Sequence, residues 1–203
     1  MRNFQTLDIL QILSNIDKHI KLPQPEKEHF LSLLISRKLK RKQFLLHENE
    51  VCQYSAFVLD GCLRGYTVDQ QGFEHVLQFA PENWWIADMY SLLSQKPGQL
   101  NIDALEDTEV LLLPKSEQEK LYLENPKFER FFRIITENSL VSNRQRVIDG
   151  LSLSAEERYH GFCKRYPSLI ERLPQKQVAS YIGVTPEFLS KLKADWVKNN
   201  RIS

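Results

Sequence analysis

The chain has 203 residues, 42% of them hydrophobic and 26% charged, an ordinary balance for a water-soluble globular protein. No stretch approaches the roughly 20 apolar residues that span a bilayer, and the opening MRNFQTLDIL interrupts the apolar run of a secretion signal, which predicts a cytoplasmic protein with no membrane partner. The three cysteines, Cys52, Cys62 and Cys163, form no Cys-x-x-Cys pair, which speaks against a disulfide framework, a zinc site or a four-thiolate iron–sulfur cluster.

Residues 5–20 set Leu7, Leu10, Leu13, Ile16 and Ile20 at helical spacing, and Pro23 and Pro25 close that helix. A second helix is predicted from Glu26, with Phe30, Leu33 and Leu34 on one face. From about residue 38 to 113 the period shortens. YSAFVLDG, CLRGYTVD and FEHVLQFA are short runs rich in β-branched and aromatic residues, punctuated by Asp60-Gly61 and Gln70-Gln71-Gly72. QLNIDALE and TEVLLLP flank a further turn at Glu106-Asp107. Many short strands with regular turns predict an antiparallel roll or barrel.

Helical spacing returns after Asn125-Pro126. Ile134, Val141 and Ile148 are seven apart, with Leu140 and Val147 in a parallel row beside them. An apolar seam of that period on a long helix predicts a second copy of the chain as partner, packing onto its own domain being the alternative. Ser154-Ala-Glu-Glu157 has the form of a capping box and starts a helix that Pro167 stops. The linker therefore falls near Gly150–Leu153. This divides the chain into a sensor region, 1–150, whose dimerising helix covers about 126–150, and a C-terminal domain, 151–203.

The strongest signal is PQKQVASYIGVTPEFLSKLKADW. Two short helices crossing steeply need a small residue where they touch, a turn residue tolerant of positive φ, and aliphatics on both inner faces. Ala179, Gly183 and the set Val178, Ile182, Val184, Leu189 and Leu192 meet these needs. Thr185 can cap the second helix, with Pro186 in its first turn. The outer face of that helix is then Thr185, Glu187, Phe188, Ser190, Lys191 and Lys193, carboxylate and ammonium groups suited to base edges and phosphates. Residues 150–203 carry nine Lys/Arg against five Asp/Glu, so the surplus of positive charge lies in this region although the whole chain is only +1.

With these residues in order, the chain resembles the Crp/Fnr family of transcription regulators over nearly its whole length. ALEDTEVLLL is similar to the last strands of that family's cyclic-nucleotide-binding domain. The resemblance implies an α+β fold: an antiparallel β-roll sensor (a double-stranded β-helix, jelly-roll-like), a long dimerisation helix and a C-terminal helical domain of the winged helix-turn-helix type. It implies double-stranded DNA with a near-palindromic operator as partner, a homodimer, and RNA polymerase as a further partner. The family's base-contacting glutamate and arginine map onto Glu187 and Lys191, while Pro186 stands where a further arginine is usual. No strand pair of a wing is visible before Arg201-Ile202-Ser203.

The ligand signature departs from the family. Its Gly-Glu pair reads Ala87-Asp88, and its arginine–hydroxyl–alanine run reads Gly98-Gln99-Leu100. A buried phosphate without a cation is costly, so cyclic AMP is not the expected ligand. Trp84, Trp85, Asp88 and Gly98 would line a pocket for another small-molecule effector, with Arg64 as the nearest candidate cation; the two indoles could equally fill the core of the roll. No catalytic or metal-ligating residue is predicted and no cofactor is assigned. Two other readings fit parts of the pattern: a sensory module acting on a protein partner with a vestigial reader helix, and a cupin-like metal enzyme. For the latter, His47, Glu48 and His75 are the nearby candidates, without the His-x-His such a site uses.

Overall fold

The protein is described here by a computed structural model covering residues 6–200, with side chains for residues 7–194. Two helices, α1 (Thr6–Asp17) and α2 (Gln24–Leu33), precede eight strands. These are β1 (Ile35–Leu39), β2 (Phe44–Leu46), β3 (Tyr54–Asp60), β4 (Leu63–Val68), β5 (Glu74–Ala80), β6 (Trp85–Ile86), β7 (Asn101–Ala104) and β8 (Thr108–Pro114). A short helix, α3 (Met89–Ser94), lies between β6 and β7. Two four-stranded sheets result, in the orders β1-β8-β3-β6 and β2-β7-β4-β5. The pairings of β8 with β1 and β3, and of β7 with β2 and β4, are antiparallel.

The run of apolar residues in β3 and β8 reflects a sheet covered on both faces, since successive side chains point to opposite sides. Ala56, Val58, Val110 and Leu112 enter the interior of the roll with Leu39, Leu63, Ile86 and Ile102. Phe57, Leu59, Leu111 and Leu113 point the other way, into a cluster built by helices. That cluster takes Ile12 and Ile16 from α1, Phe30 from α2, Leu121 from α4 (Lys115–Glu124), and Phe128, Phe131 and Phe132 from α5 (Pro126–Ser152). Each buried Phe or Leu contributes about 1.5–3 kcal/mol relative to exposure.

The stripe expected at the start of the chain holds at Ile16 and Ile20, both buried, and fails at its beginning. Leu7 and Leu10 are exposed, and Ile12 and Ile16 are the fully buried pair. An i, i+4 pair stacks along one face, whereas the seven-residue leucine row drifts around the helix. α1 also stops at Asp17, so Ile20 reaches the core from the segment that follows.

The C-terminal helices are α6 (Ala155–Arg165), α7 (Gln175–Ile182) and α8 (Pro186–Asn200), with one 3₁₀ turn at Pro167–Leu169. The capping box is formed: the Glu157 amide donates to Ser154 Oγ, and the Ser154 amide donates to Glu157 Oε2 at 2.8 Å. The chain divides into two compact units, Met1–Thr67 with Gln78–Ser139, and Val68–Leu77 with Leu140–Ser203. Among the described residues, no helix is long and apolar enough to cross a membrane.

Candidate functional site

The helix pair α7–α8 is assembled from local rules. Gly183 ends α7 in the left-handed region (φ 73°, ψ 44°), and its amide reaches the Ala179 and Ser180 carbonyls. A side chain on the Cα is strained at that φ, which is why the turn takes glycine. The Val184 amide donates to the Ala179 carbonyl at 3.0 Å, closing the turn. The Phe188 amide donates to Thr185 Oγ1 at 3.2 Å, so Thr185 caps α8. Val178, Ala179, Ile182 and Leu189 are buried between the helices. Phe162, Tyr166, Leu169 and Leu173 are also buried in this unit.

With Leu189 turned inward, α8 shows Glu187, Phe188, Ser190 and Lys191 to solvent. Phe188 is 51% exposed, so its ring points outward and is not part of the core. Thr185 serves as cap. Lys193 is half-buried, its ammonium 6.0 Å from the centre of the Tyr159 ring, and is drawn back from the outer row. The Ser190 hydroxyl lies 2.9 Å from both the Gln175 Oε1 and the Pro186 carbonyl, tying α8 to the start of α7.

In the roll, Asp88 and Gly98 are brought together and buried. Asp88 caps α3: Oδ1 accepts from the Ser91 amide at 3.1 Å, and Oδ2 accepts from the Leu100 amide at 3.2 Å. A Cβ on Gly98 would stand 2.1 Å from Asp88 Oδ2 and 2.9 Å from the Ser91 Cβ, so the carboxylate fills the space a side chain there would need. Ser91 is fully buried; its Oγ accepts from the Cys52 amide at 2.8 Å and donates to the Lys96 carbonyl at 2.6 Å. Burial pushes the Cys52 thiol above its ordinary range.

The other proposed pocket residues go elsewhere. Trp85 packs in the helical cluster, with ring centres 5.2 Å from Phe57 and 5.3 Å from Phe132, and its Nε1 donates to Asn15. Trp84 packs against the roll interior, so the two indoles are separated. Arg64 is buried, and Asp103 on β7 grips its guanidinium in a two-point pair, 2.7 Å at Nε and 2.9 Å at Nη2. Its Cζ also lies 3.9 Å from the Tyr66 ring centre. On β4 it alternates with Leu63, which faces the roll interior, so Arg64 is directed away from that interior.

Residues 36–125 match the cyclic nucleotide-binding domain family. The structure superposes on FixK2 from Bradyrhizobium japonicum with a TM-score of 0.71 at 19% identity, covering 82% of this chain and 86% of that one. The c-di-GMP-responsive global regulator CLP of Xanthomonas campestris gives 0.72 at 11% identity, covering 88% and 93%. A protein classed as a Crp/Fnr regulator from Eubacterium rectale gives 0.69 at 15%, covering 87% and 85%. The chain has the Crp/Fnr fold. No curated protein sequence matches it.

Among the described residues, no group of three or more His, Cys, Asp or Glu side chains is placed to hold a metal ion, those around His47, Glu48 and His75 included. His47 stacks on Phe44 with ring centres 4.0 Å apart, while His75 pairs with Asp69 at the tip of the β4–β5 hairpin. Sequence reasoning missed three participants. Ser91 belongs to no motif, Asp103 is hidden in a strand, and nothing in the spacing of the helix pair marks Gln175 as the partner of Ser190. The family resemblance already places Asp88 and Gly98 at one pocket; that the Asp88 carboxylate fills the space beside Gly98 was not legible, because the chain separates them by α3 and its following loop.

Proposed function

We propose that the chain is a DNA-binding transcription regulator of the Crp/Fnr type, acting as a homodimer, with a sensor region at 1–150 and a reading domain at 151–203. The observation that carries this reading is the outer face of α8, where Glu187, Phe188 and Lys191 are exposed while Leu189 anchors the helix. Glu187 and Lys191 are four apart and share a face. A carboxylate accepts from cytosine N4, an ammonium donates to guanine O6 and N7, and the Phe188 ring suits a thymine methyl. Ser190 acts by holding Gln175, and Thr185 by capping.

Support for the homodimer comes from α5. Its 27 residues span about 40 Å, and Val141 and Ile148 are exposed on it beside Leu140 and Val147, while Ile134 is half-buried. At the candidate effector site the Asp88 carboxylate is satisfied by the Ser91 and Leu100 amides and Arg64 is held by Asp103, which disfavours an anionic ligand such as cyclic AMP.

The test is selection of duplexes from a random pool by the intact protein, followed by titration of matched and mismatched sites. Near-palindromic sites with half-sites one helical turn apart are expected. Lys191→Ala should cost about 1–3 kcal/mol on the matched site and relax preference at one base pair per half-site. Selection of no sequence by a folded parent contradicts the reading.

A further inference from the structure

The β4–β5 hairpin tip lies in the same compact unit as α7. β5 ends its sheet, so its outward N–H and C=O groups have no neighbouring strand. Glu74 and Val76 are two apart and direct their backbone groups to one side. Ser180 of α7 meets both: the Val76 amide donates to Ser180 Oγ at 3.0 Å, and Ser180 Oγ donates to the Glu74 carbonyl at 2.6 Å. One hydroxyl thus satisfies a donor and an acceptor as a further strand would. Arg146 of α5 completes the contact, its Nη1 donating to the Val76 carbonyl at 3.1 Å and its guanidinium lying 5.0 Å from the Tyr181 ring centre.

The tip is also stiff. Asp69 Oδ1 accepts from the Gln71 and Phe73 amides at 2.9 and 3.0 Å, Asp69 Oδ2 pairs with His75 at 2.7 Å, and Gly72 takes φ 83° to close the turn. A stiff hairpin joined to a helix by directed hydrogen bonds transmits displacement, where a loose loop would absorb it.

We propose that Ser180 is a latch through which the β4–β5 hairpin holds and positions the first helix of the reading pair. Its consequence for DNA rests on the function proposed above; the latch itself can be tested without DNA. In the full chain, Ser180→Ala should speed amide hydrogen exchange at residues 74–78 and 176–182 by about three- to tenfold, the equilibrium worth of one hydrogen bond, and Ser180→Thr should restore parental rates. Asp69→Ala, which loosens the tip, should raise exchange at residues 176–182 in the parent but add nothing in the Ser180→Ala background. On a selected duplex, Ser180→Ala should shift Kd by about three- to tenfold with an unchanged salt slope, since no phosphate contact is lost. Unchanged exchange in Ser180→Ala, additive effects of the two substitutions, or an unshifted Kd overturns the latch. A lowered salt slope overturns it too, by placing Ser180 on the DNA backbone. If the parent binds no duplex, the functional reading falls, and the exchange experiment still decides the latch.

Discussion

Gly98 shows how a single missing side chain shapes a site. Its Cα stands where a Cβ would meet Asp88 Oδ2 at 2.1 Å, and the carboxylate is held there by the Ser91 and Leu100 amides. Gly98→Ala should therefore overpack the roll and cost about 1–3 kcal/mol of unfolding free energy, read from the urea midpoint. Asp88→Ala alone loses the cap of α3, at about 1 kcal/mol. The double variant should cost less than the sum of the two, because removing the carboxylate vacates the space the new methyl needs. Strict additivity would mean the two residues do not compete for that volume. The departure of this pair from the family's ligand signature was legible in the sequence; that Asp88 binds its own backbone was not, since an amide partner leaves no trace in residue identity.

At the scale of elements, α6 depends on a pair of reciprocal hydrogen bonds. The Ser154 backbone amide and hydroxyl hold the Glu157 carboxyl below its ordinary value of 4.5. A carboxyl with a depressed folded-state pKa contributes stability that is present above its unfolded pKa and lost as pH falls through the folded value. The parent should thus be more stable than Glu157→Gln near pH 7. That gap should close below pH 4.5, as followed by denaturant midpoints across the pH range. A gap that stays constant at low pH would mean the carboxylate's charge is not what caps the helix.

The capping box, Asn125-Pro126 and the Gly183 turn were legible because each obeys a rule spanning a few residues. Two helices, α3 and α4, were not: α3 has six residues and α4 follows a strand without an N-cap side chain bond. The exposed row on α5 makes its own prediction. Val141 is 68% exposed in the single chain, so Val141→Glu leaves the isolated fold intact but buries charge in a dimer seam, at several kcal/mol. The variant should sediment as a monomer where the parent sediments as a dimer; a dimeric variant would move the seam elsewhere on the helix.

Across the whole molecule, the order of elements follows from local periodicity, and the β-roll was readable as a succession of short strands. Their arrangement was less so. The apolar runs of β3 and β8 reveal a strand covered on both faces, and only packing shows that one face meets the roll and the other meets α1, α4 and α5. Trp84 and Trp85 illustrate the same limit: adjacent in sequence at the start of β6, they part, Trp84 against the roll interior and Trp85 against the helical cluster. The reading pair was the most legible part, because a steep helix crossing demands particular residue sizes at fixed spacing.

The central claim is that this chain binds duplex DNA through α8, and the most direct measurement is equilibrium binding of the intact protein to a selected duplex across a salt series. Counterion release predicts that log K falls linearly with log salt, by about 0.9 per phosphate neutralised, with a matched site favoured over a scrambled one at every salt concentration. Saturation should come at two chains per near-palindromic duplex. Affinity independent of salt, or equal for matched and scrambled duplexes, would contradict the account.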